Sequence, residues 1–308
     1  MTVLVREFRP EDAAATVDVL RAAIPFLVTT EQEIVWAVAH ANPASAHRLL
    51  VAEIDGRLVG RAQVGLAYES GTPGQAYANV YVHPDHRGQG AGSLLLRTAE
   101  EHLACAGASS VYSWVLDASA NRCFAERRGY QARRSARFLR LDLAADTLPP
   151  PPEIPAGVEL RTAADFAGDP RPLFALDAAT TADEPSDIGA ELDDYEDWLT
   201  TTWGHPGLDR DLTVVAVVDG TPAAFTAART DRVSRYSSGM TGVLRAHRGR
   251  GLAKLVKAHS LHRARAAGLT EAFTGNDAEN LPMLAVNKWF GYEICATEVR
   301  HVRELGID

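Results

Sequence analysis

The feature that most constrains this chain of 308 residues is an internal repeat. Residues 82–102 and residues 243–264 both place an arginine five positions after a valine, continue with a glycine-rich turn and then show helical periodicity. The two valines are 161 residues apart, as are the arginines of the turns, Arg87 and Arg248. A chain of this length accommodates two domains of ordinary size, so we expect one copy of the same plan in each half.

The segments around each turn repeat as well. Asp55-Gly56 and Asp219-Gly220 each separate two apolar runs, a pattern typical of a β-hairpin. After each turn come a short apolar strand and a helix that ends in glycine plus an aromatic residue. Each half is therefore predicted to run strand, one or two helices, three strands, helix, strand, helix, strand. This order indicates an α/β or α+β fold with a mixed sheet.

A proline-rich segment separates the two halves. Four consecutive prolines, residues 149–152, can enter neither a helix nor a central strand, and they favour a stiff, extended spacer. We therefore expect a first domain at residues 1–143, a linker at 144–156 and a second domain at 157–308.

Composition narrows the class of protein. The hydrophobic share of 46% and charged share of 23% are those of a globular chain. No apolar run approaches the roughly 18–20 residues that span a bilayer. Arg6, Glu7 and Arg9 lie where a signal peptide would need an apolar core, so we expect a cytoplasmic protein. The net charge of -9 disfavours a nucleic-acid partner, and three cysteines without a close pair predict neither a disulfide framework nor a metal site.

The turn at residues 87–92 is the main candidate for binding chemistry. Its glycines allow close backbone approach to a ligand, and the helix that follows offers free N–H groups and a partial positive charge. With Arg87 as a cation, the turn suits a pyrophosphate. Neither copy has the lysine and hydroxyl pair of a P-loop or the full spacing of a dinucleotide fingerprint. For a single copy, the alternative is a helix start that merely needs glycines, and the second copy in the same context weakens it.

Residues 82–92 and 243–253 resemble the acetyl-CoA-binding motif of the GCN5-related N-acetyltransferase (GNAT) superfamily, whose core is R/Q-x-x-G-x-G/A after a strand. Strand, motif, helix and a later asparagine–helix–glycine–aromatic segment occur in this order twice. The chain is thus similar to tandem acetyltransferases, an arrangement found in the mycothiol synthase class and in several antibiotic-modifying enzymes. The resemblance implies two acyl-CoA N-acyltransferase domains, each a mixed, mostly antiparallel sheet flanked by helices.

The resemblance also implies acetyl-CoA as co-substrate and suggests which residues contact it. The strand before each turn would hold the pantetheine arm, the turn amides would hold the pyrophosphate, and asparagines in the later helix segment would contact the coenzyme. In the first half the implied residues are Val80, Tyr81, Val82, Arg87, Gly88, Gln89, Gly90, Ala91, Gly92 and Asn121. In the second half they are Thr241, Gly242, Val243, Arg248, Gly249, Arg250, Gly251, Leu252, Ala253, Asn280 and Asn287.

Both halves depart from the family pattern at the acid and base positions. Ala125 and Asn287 stand where many members carry a tyrosine that protonates the leaving thiolate, and neither strand before a turn has the usual carboxylate. The catalytic candidates nearby are Tyr81, Glu69 and Asp117 in the first half, and Asp231, Tyr236 and Asp277 in the second. For each of them alone, a surface carboxylate or a packed tyrosine is the alternative. Which half is active stays open.

The expected reaction is direct attack of a primary amine of a small, cationic acceptor on the thioester. Residues 183–197 contain eight acidic residues and no basic one. They indicate either a solvated helix start or an acidic rim that attracts a cationic acceptor. We expect a monomer or homodimer with no nucleic-acid or membrane partner. The alternatives are a non-catalytic coenzyme-A-binding scaffold with degenerate domains, and aminoacyl or peptidyl transfer, which the two intact turns disfavour.

Overall fold

A computed structural model describes residues 2–306, and the chain forms two compact units. The first unit consists of Met1–Ala136, Ile188–Ala190 and Ala296–Asp308. The second unit consists of Arg137–Asp187 and Glu191–Cys295.

The predicted order of elements is confirmed in both halves. The first half contains β1 (Val3–Glu7), α1 (Ala13–Ala23), α2 (Glu31–Ala39), β2 (Arg48–Ile54), β3 (Arg57–Leu66), β4 (Gln75–Val82), α3 (Ala91–Cys105), β5 (Ser110–Leu116), α4 (Ser119–Glu126) and β6 (Gln131–Asp142). The second half contains β7 (Val158–Thr162), α5 (Arg171–Thr181), α6 (Tyr195–Trp198), β8 (Val214–Val218), β9 (Thr221–Thr230), β10 (Arg235–Val243), α7 (Leu252–Ala266), β11 (Glu271–Asp277), α8 (Leu281–Trp289) and β12 (Glu293–Glu304).

Both units contain a mixed, mostly antiparallel sheet, as expected. The strand order is β1-β2-β3-β4-β5-β12 in the first unit and β7-β8-β9-β10-β11-β6 in the second. One pair in each unit, β4 with β5 and β10 with β11, is parallel. Helix α3 packs on β1 to β4 and shares one hydrophobic core with them. Helix α1 packs on β3 and β4 from the opposite face.

The two hairpins have the geometry that their sequences predict. Asp55 and Gly56 have φ of 50° and 79°, and Asp219 and Gly220 have the same values. Positive φ at both central residues defines the type I′ turn, whose twist matches that of the flanking strands.

The parallel pairs separate after a short ladder, and this separation positions the site. In the first unit, residues 75–77 of β4 pair with residues 110–112 of β5, and the ladder ends there. Further along, the backbone N–H of Trp114 donates to the Asn79 side chain at 3.0 Å instead of to a strand partner. The gap that opens is bordered by the last residues of both strands.

The segment around the start of the proline run packs against the rest of the second unit. Leu148 is buried in a core of the second unit, and the His262 ring lies 2.8 Å from the carbonyl oxygen of Pro149. The compact units also depart from a division at the linker, because the end of β12 pairs with β5 over residues 298–304 and belongs to the first unit. As limits of the two family domains, residues 1–143 and 157–308 stay a prediction.

Candidate active site

The two glycine-rich turns share one backbone conformation. Each follows a one-turn 3-10 helix, after which Arg87 and Arg248 are extended, with φ of -68° and -67°. Gly88 and Gly90 then have φ of 76° and 92°, in the left-handed region that glycine tolerates best. Gly90 is the N-cap residue of α3, so the first backbone N–H groups of that helix have no intrahelical acceptor.

In the first unit this turn opens into a cavity of about 440 Å³. Its lining includes the turn, the ends of β4 and β5, the start of α4, and Ala23 and Ile24 at the end of α1. Since α1 and α3 lie on opposite faces of the sheet, the cavity passes between the separated strands from one face to the other. The cavity is narrow beside Gly92. A Cβ added at Gly92 would lie 3.4 Å from Val82 and 3.5 Å from Phe124, so the absence of a side chain keeps this part of the cavity open.

Most of the coenzyme-binding residues predicted in the first half border this cavity. Val80, Tyr81, Val82, Arg87, Gly88, Gly90, Ala91, Gly92 and Asn121 belong to its lining, and Gln89 does not. The Asn121 amide donates to the carbonyl oxygen of Leu116 at 3.2 Å, which joins the start of α4 to the end of β5. Among the described residues, no carboxylate forms an ion pair with Arg87, so its charge remains available.

Tyr81 is the catalytic candidate that the structure brings to the cavity. Its side chain lies on the same sheet face as α1, since Val80 and Val82 on either side pack toward the α3 core. Burial raises the pKa of the Tyr81 phenol, the nearby Glu298 raises it further, and Arg61 lowers it. The phenol is therefore protonated at neutral pH.

Two other catalytic candidates, Asp117 and Tyr236, lie elsewhere. The Asp117 carboxylate forms an ion pair with Arg122 at the surface, outside the cavity lining. Tyr236 is fully buried in a core of the second unit, and its hydroxyl lies 2.8 Å from Ser260. Burial raises its pKa to about 12. A phenol enclosed in this way packs the core and does not contact an acceptor.

In the second unit, the residues around the turn are engaged with one another. Asp183 forms ion pairs with both Arg245 and Arg248, and Arg250 contacts the His247 ring at 2.8 Å. The acidic segment thus supplies one carboxylate to the turn, while Asp194 caps α6 by accepting from the Asp197 N–H at 3.0 Å. Asp194 thus stands at a helix start, whereas Asp183 pairs with two arginines beside the turn.

The remaining predicted residues of the second half also form internal contacts. Asn280 caps α8, accepting from the Met283 N–H at 3.3 Å, and Asn287 is buried and bonded to Asn276. Thr241 shares a hydrogen bond with Thr226 at 2.8 Å. Gly242 corresponds to Tyr81 in the repeat, and a Cβ there would collide with Thr180 of α5 at 2.4 Å.

Sequence reasoning missed Glu298. This residue lies on β12, pairs with Leu116 of β5 and is 5% exposed. Burial raises the pKa of its carboxyl to about 7, partly offset by Arg300. Glu298 is not in the cavity lining, but its strand partner Leu116 is. No local pattern marks Glu298, because only the pairing of strands far apart in the chain brings it beside Leu116.

Comparison with known proteins agrees with this architecture. Residues 45–132 match the model described as "Acetyltransferase (GNAT) domain", and residues 175–292 match "Acetyltransferase (GNAT) family". A mycothiol acetyltransferase of Streptomyces bingchenggensis is 31% identical over 266 residues, 84% of this chain and 81% of that protein. One of Frankia casuarinae is 29% identical over 263 residues, 82% of this chain and 75% of that protein.

Solved structures show the same fold. A tandem GNAT protein from the clavulanic acid biosynthesis pathway superposes with a TM-score of 0.73 at 22% identity, covering 100% of both chains. A GCN5-related N-acetyltransferase from Sphaerobacter thermophilus gives 0.71 at 23% identity, covering 99% of this chain and 97% of that one. The fold is that of acyl-CoA N-acyltransferase (GNAT) domains. The chain belongs to the GNAT acetyltransferase family, with two domains in tandem, and is an N-acetyltransferase.

Two further findings concern the part of the chain from residue 2 to residue 306. No helix there is long and apolar enough to cross a membrane. The three cysteines are free and exposed.

Proposed function

We propose that this protein transfers the acetyl group of acetyl-CoA to a primary amine of a small acceptor, and that the first unit holds the coenzyme. The observation that carries the proposal is the cavity of about 440 Å³ between β4 and β5, which reaches from the glycine turn to Tyr81. Its volume is in the range of small-ligand pockets. The mycothiol acetyltransferase relatives support a small-molecule acceptor.

The residues of the first unit fit the parts of the coenzyme. The free N–H groups at the start of α3 and the Arg87 guanidinium would bind the pyrophosphate, because both the helix dipole and the side chain favour an anion. Backbone groups of Val80 and Val82 that face the gap have lost a strand partner and would bond the amides of the pantetheine arm.

Bound acetyl-CoA supplies an acyl carbon activated as a thioester. The wall of the cavity would exclude water from that carbon and orient it toward the α1 side of the sheet, where the acceptor enters. Tyr81 borders this end, and its protonated phenol would donate a proton to the departing sulfur.

Two contrasts favour the first unit over the second. Arg87 keeps its charge available, whereas Arg248 is already paired with Asp183. Tyr81 borders the cavity, whereas the corresponding Gly242 leaves room that Thr180 fills. A cationic acceptor, as expected from the sequence, is part of this proposal.

Calorimetric titration with acetyl-CoA tests the proposal, with Gly90→Glu and the matched variant Gly251→Glu compared with the wild type. A carboxylate in the turn repels phosphate, so Gly90→Glu should abolish the binding that Gly251→Glu retains. Chromatography of released coenzyme A, with spermidine, glucosamine and lysine as amine probes, then measures transfer. If the wild type does not bind acetyl-CoA, or if Gly90→Glu binds it as well as the wild type, the proposal is wrong.

A further inference from the structure

Strand register places four residues of the first unit in one row across the sheet. Arg61 of β3 pairs with Tyr81 of β4, and Leu116 of β5 pairs with Glu298 of β12. Tyr77 pairs with Tyr112, so Tyr81 and Leu116, each four residues further on, face each other across the gap. The row therefore runs Arg61, Tyr81, gap, Leu116, Glu298.

All four side chains point to the same face of this sheet. Directly paired residues of neighbouring strands share a face, and residues an even number apart on a strand share it too. The stacking of Arg300 on Trp114, with 4.3 Å from the guanidinium carbon to the ring centroid, confirms the orientation of β12 relative to β5. Glu298 thus faces the α1 side of the gap, the same side as Tyr81.

Glu298 occupies a buried position on this face. The residue is 5% exposed. Burial of a carboxylate is costly, and such groups concentrate where chemistry uses them. In the described part of the chain, the groups that act on it electrostatically are Arg300 on its own strand and Tyr81. Helix α1 contributes the apolar Ala23 and Ile24 to the lining of the neighbouring cavity.

We infer that Glu298 is the proton acceptor of the transfer reaction, taking a proton from the acceptor's ammonium group at the α1 side of the gap between β4 and β5. This inference rests on the function proposed above. It assigns the base to the last strand of the chain and not to the strand before the glycine turn.

Glu298 and Tyr81 together account for every proton that moves in the reaction. The acceptor enters as an ammonium ion, and the Glu298 carboxylate removes one N–H proton. The freed lone pair forms the C–N bond with the thioester carbon as the C–S bond breaks, and Tyr81 protonates the sulfur. The phenolate regains a proton from the attacking nitrogen, and Glu298 releases its own to water. The products are the N-acetyl amide, coenzyme A with a free thiol, and one proton.

The second unit does not repeat this row. Phe225 and Gly242 occupy the positions of Arg61 and Tyr81, as their pairing between β9 and β10 shows. The arginine and tyrosine of the row are therefore a property of the first unit and not a general consequence of the fold.

Glu298→Gln is the test, because glutamine keeps the size of the side chain and removes the base. Glu304→Gln, on the same strand but exposed, is the matched control. With the amine probe that the wild type acetylates fastest, Glu298→Gln should lower kcat by about 100-fold or more while acetyl-CoA affinity changes less than twofold. Glu298→Asp should retain part of the rate, and Glu304→Gln should match the wild type.

The pH profile separates a proton acceptor from a packing residue. In the wild type, kcat/KM should rise tenfold per pH unit up to about pH 7 and then level off, and Glu298→Gln should lose this limb. If the wild type is active but Glu298→Gln keeps both its kcat and this limb, the inference is wrong and the proposed function stands.

A measurement without an amine covers the case of an inactive wild type. Carbon-13 NMR of protein with labelled glutamate side chains, assigned by the signal missing in Glu298→Gln, reports the titration of this residue. A midpoint near pH 7 that shifts when acetyl-CoA binds supports the inference. Titration in the ordinary glutamate range, or no response to the coenzyme, overturns it. Loss of acetyl-CoA binding in the wild type would instead defeat the proposed function itself.

Discussion

At the residue scale, equivalent positions of the repeat carry different chemistry. Tyr81 borders an open cavity, whereas Gly242 receives a threonine from α5. Leu96 of α3 borders the same cavity, and its counterpart in α7 is Lys257, which is fully buried. The two units share one backbone fold. Differences at single side chains therefore decide whether the space beside the turn is open to a ligand or filled by packing.

Lys257 carries the first stability prediction. Burial lowers the pKa of its ammonium to about 7, and in the described structure its nitrogen has no hydrogen-bond acceptor, only the Tyr292 ring at 5.1 Å. The unfolded chain binds this proton up to about pH 10.5, so the cost of burial is full below pH 7 and fades as pH rises. Lys257→Met should therefore raise the free energy of unfolding by about 2–5 kcal/mol at pH 6 and by much less at pH 10.

Lys254→Met is the control for that prediction, because Lys254 is only half-buried and stacks on Trp289. Urea unfolding at both pH values measures the difference. An equal gain at pH 6 and pH 10 would contradict the argument.

The second stability prediction concerns Glu298. The cost of burying its charge increases with pH, whereas the cost of burying Lys257 decreases with pH. Its folded pKa of about 7 lies above the ordinary glutamate value, so burial of the charge costs nothing below pH 4.5 and is fully felt above pH 7. Glu298→Gln should raise the melting temperature at pH 8 and leave it nearly unchanged at pH 4.5. If Glu298→Gln is more stable and less active than the wild type, the buried carboxyl lowers stability but is needed for activity. A loss of stability at pH 8 would indicate that Glu298 is a structural residue.

At the element scale, the hairpins show which parts of the fold are encoded locally. Both type I′ turns use Asp-Gly, and no atom outside the neighbouring residues lies within 4 Å of a Cβ built at Gly56 or Gly220. Substitution there changes only the backbone strain of positive φ. Gly56→Ala and Gly220→Ala should each lower the free energy of unfolding by about 1 kcal/mol. Calorimetric melting of both variants checks this, and a large difference between them would reveal contacts beyond the turn.

At the scale of the whole molecule, the compact units do not follow the order of the chain. The last half of β12 pairs with β5, and Arg303 of β12 contacts Glu100 of α3 at 2.8 Å within the first unit. The end of the second repeat thus completes the sheet of the first.

A truncated chain tests this arrangement. A chain that ends at Cys295 loses the strand beside β5 together with Glu298, so it should lose acetyl-CoA binding and melt at a lower temperature. A chain that ends at Gly306 should behave as the full-length protein. If the variant ending at Cys295 binds acetyl-CoA normally, β12 is dispensable for the cavity.

The amino-acid sequence by itself determined the repeat, the order of elements, both hairpins and both glycine turns. These features depend on a few consecutive residues, such as Asp55-Gly56 or the glycines at 88 and 90, whose allowed φ and ψ do not require distant contacts. The nine first-half cavity residues followed from the same local motif and its family resemblance.

The base candidate and the limits of the compact units came only from tertiary structure. Leu116 and Glu298 are paired although 182 residues separate them, and the Asp183 pairing with Arg248 joins a helix end to a distant turn. Neither pair leaves a periodic signal, because strand partners and ion pairs form wherever burial and hydrogen bonding are best satisfied over the whole chain. For the same reason, only the packing of α5 against β10 distinguishes the filled space beside Gly242 from the open one beside Tyr81.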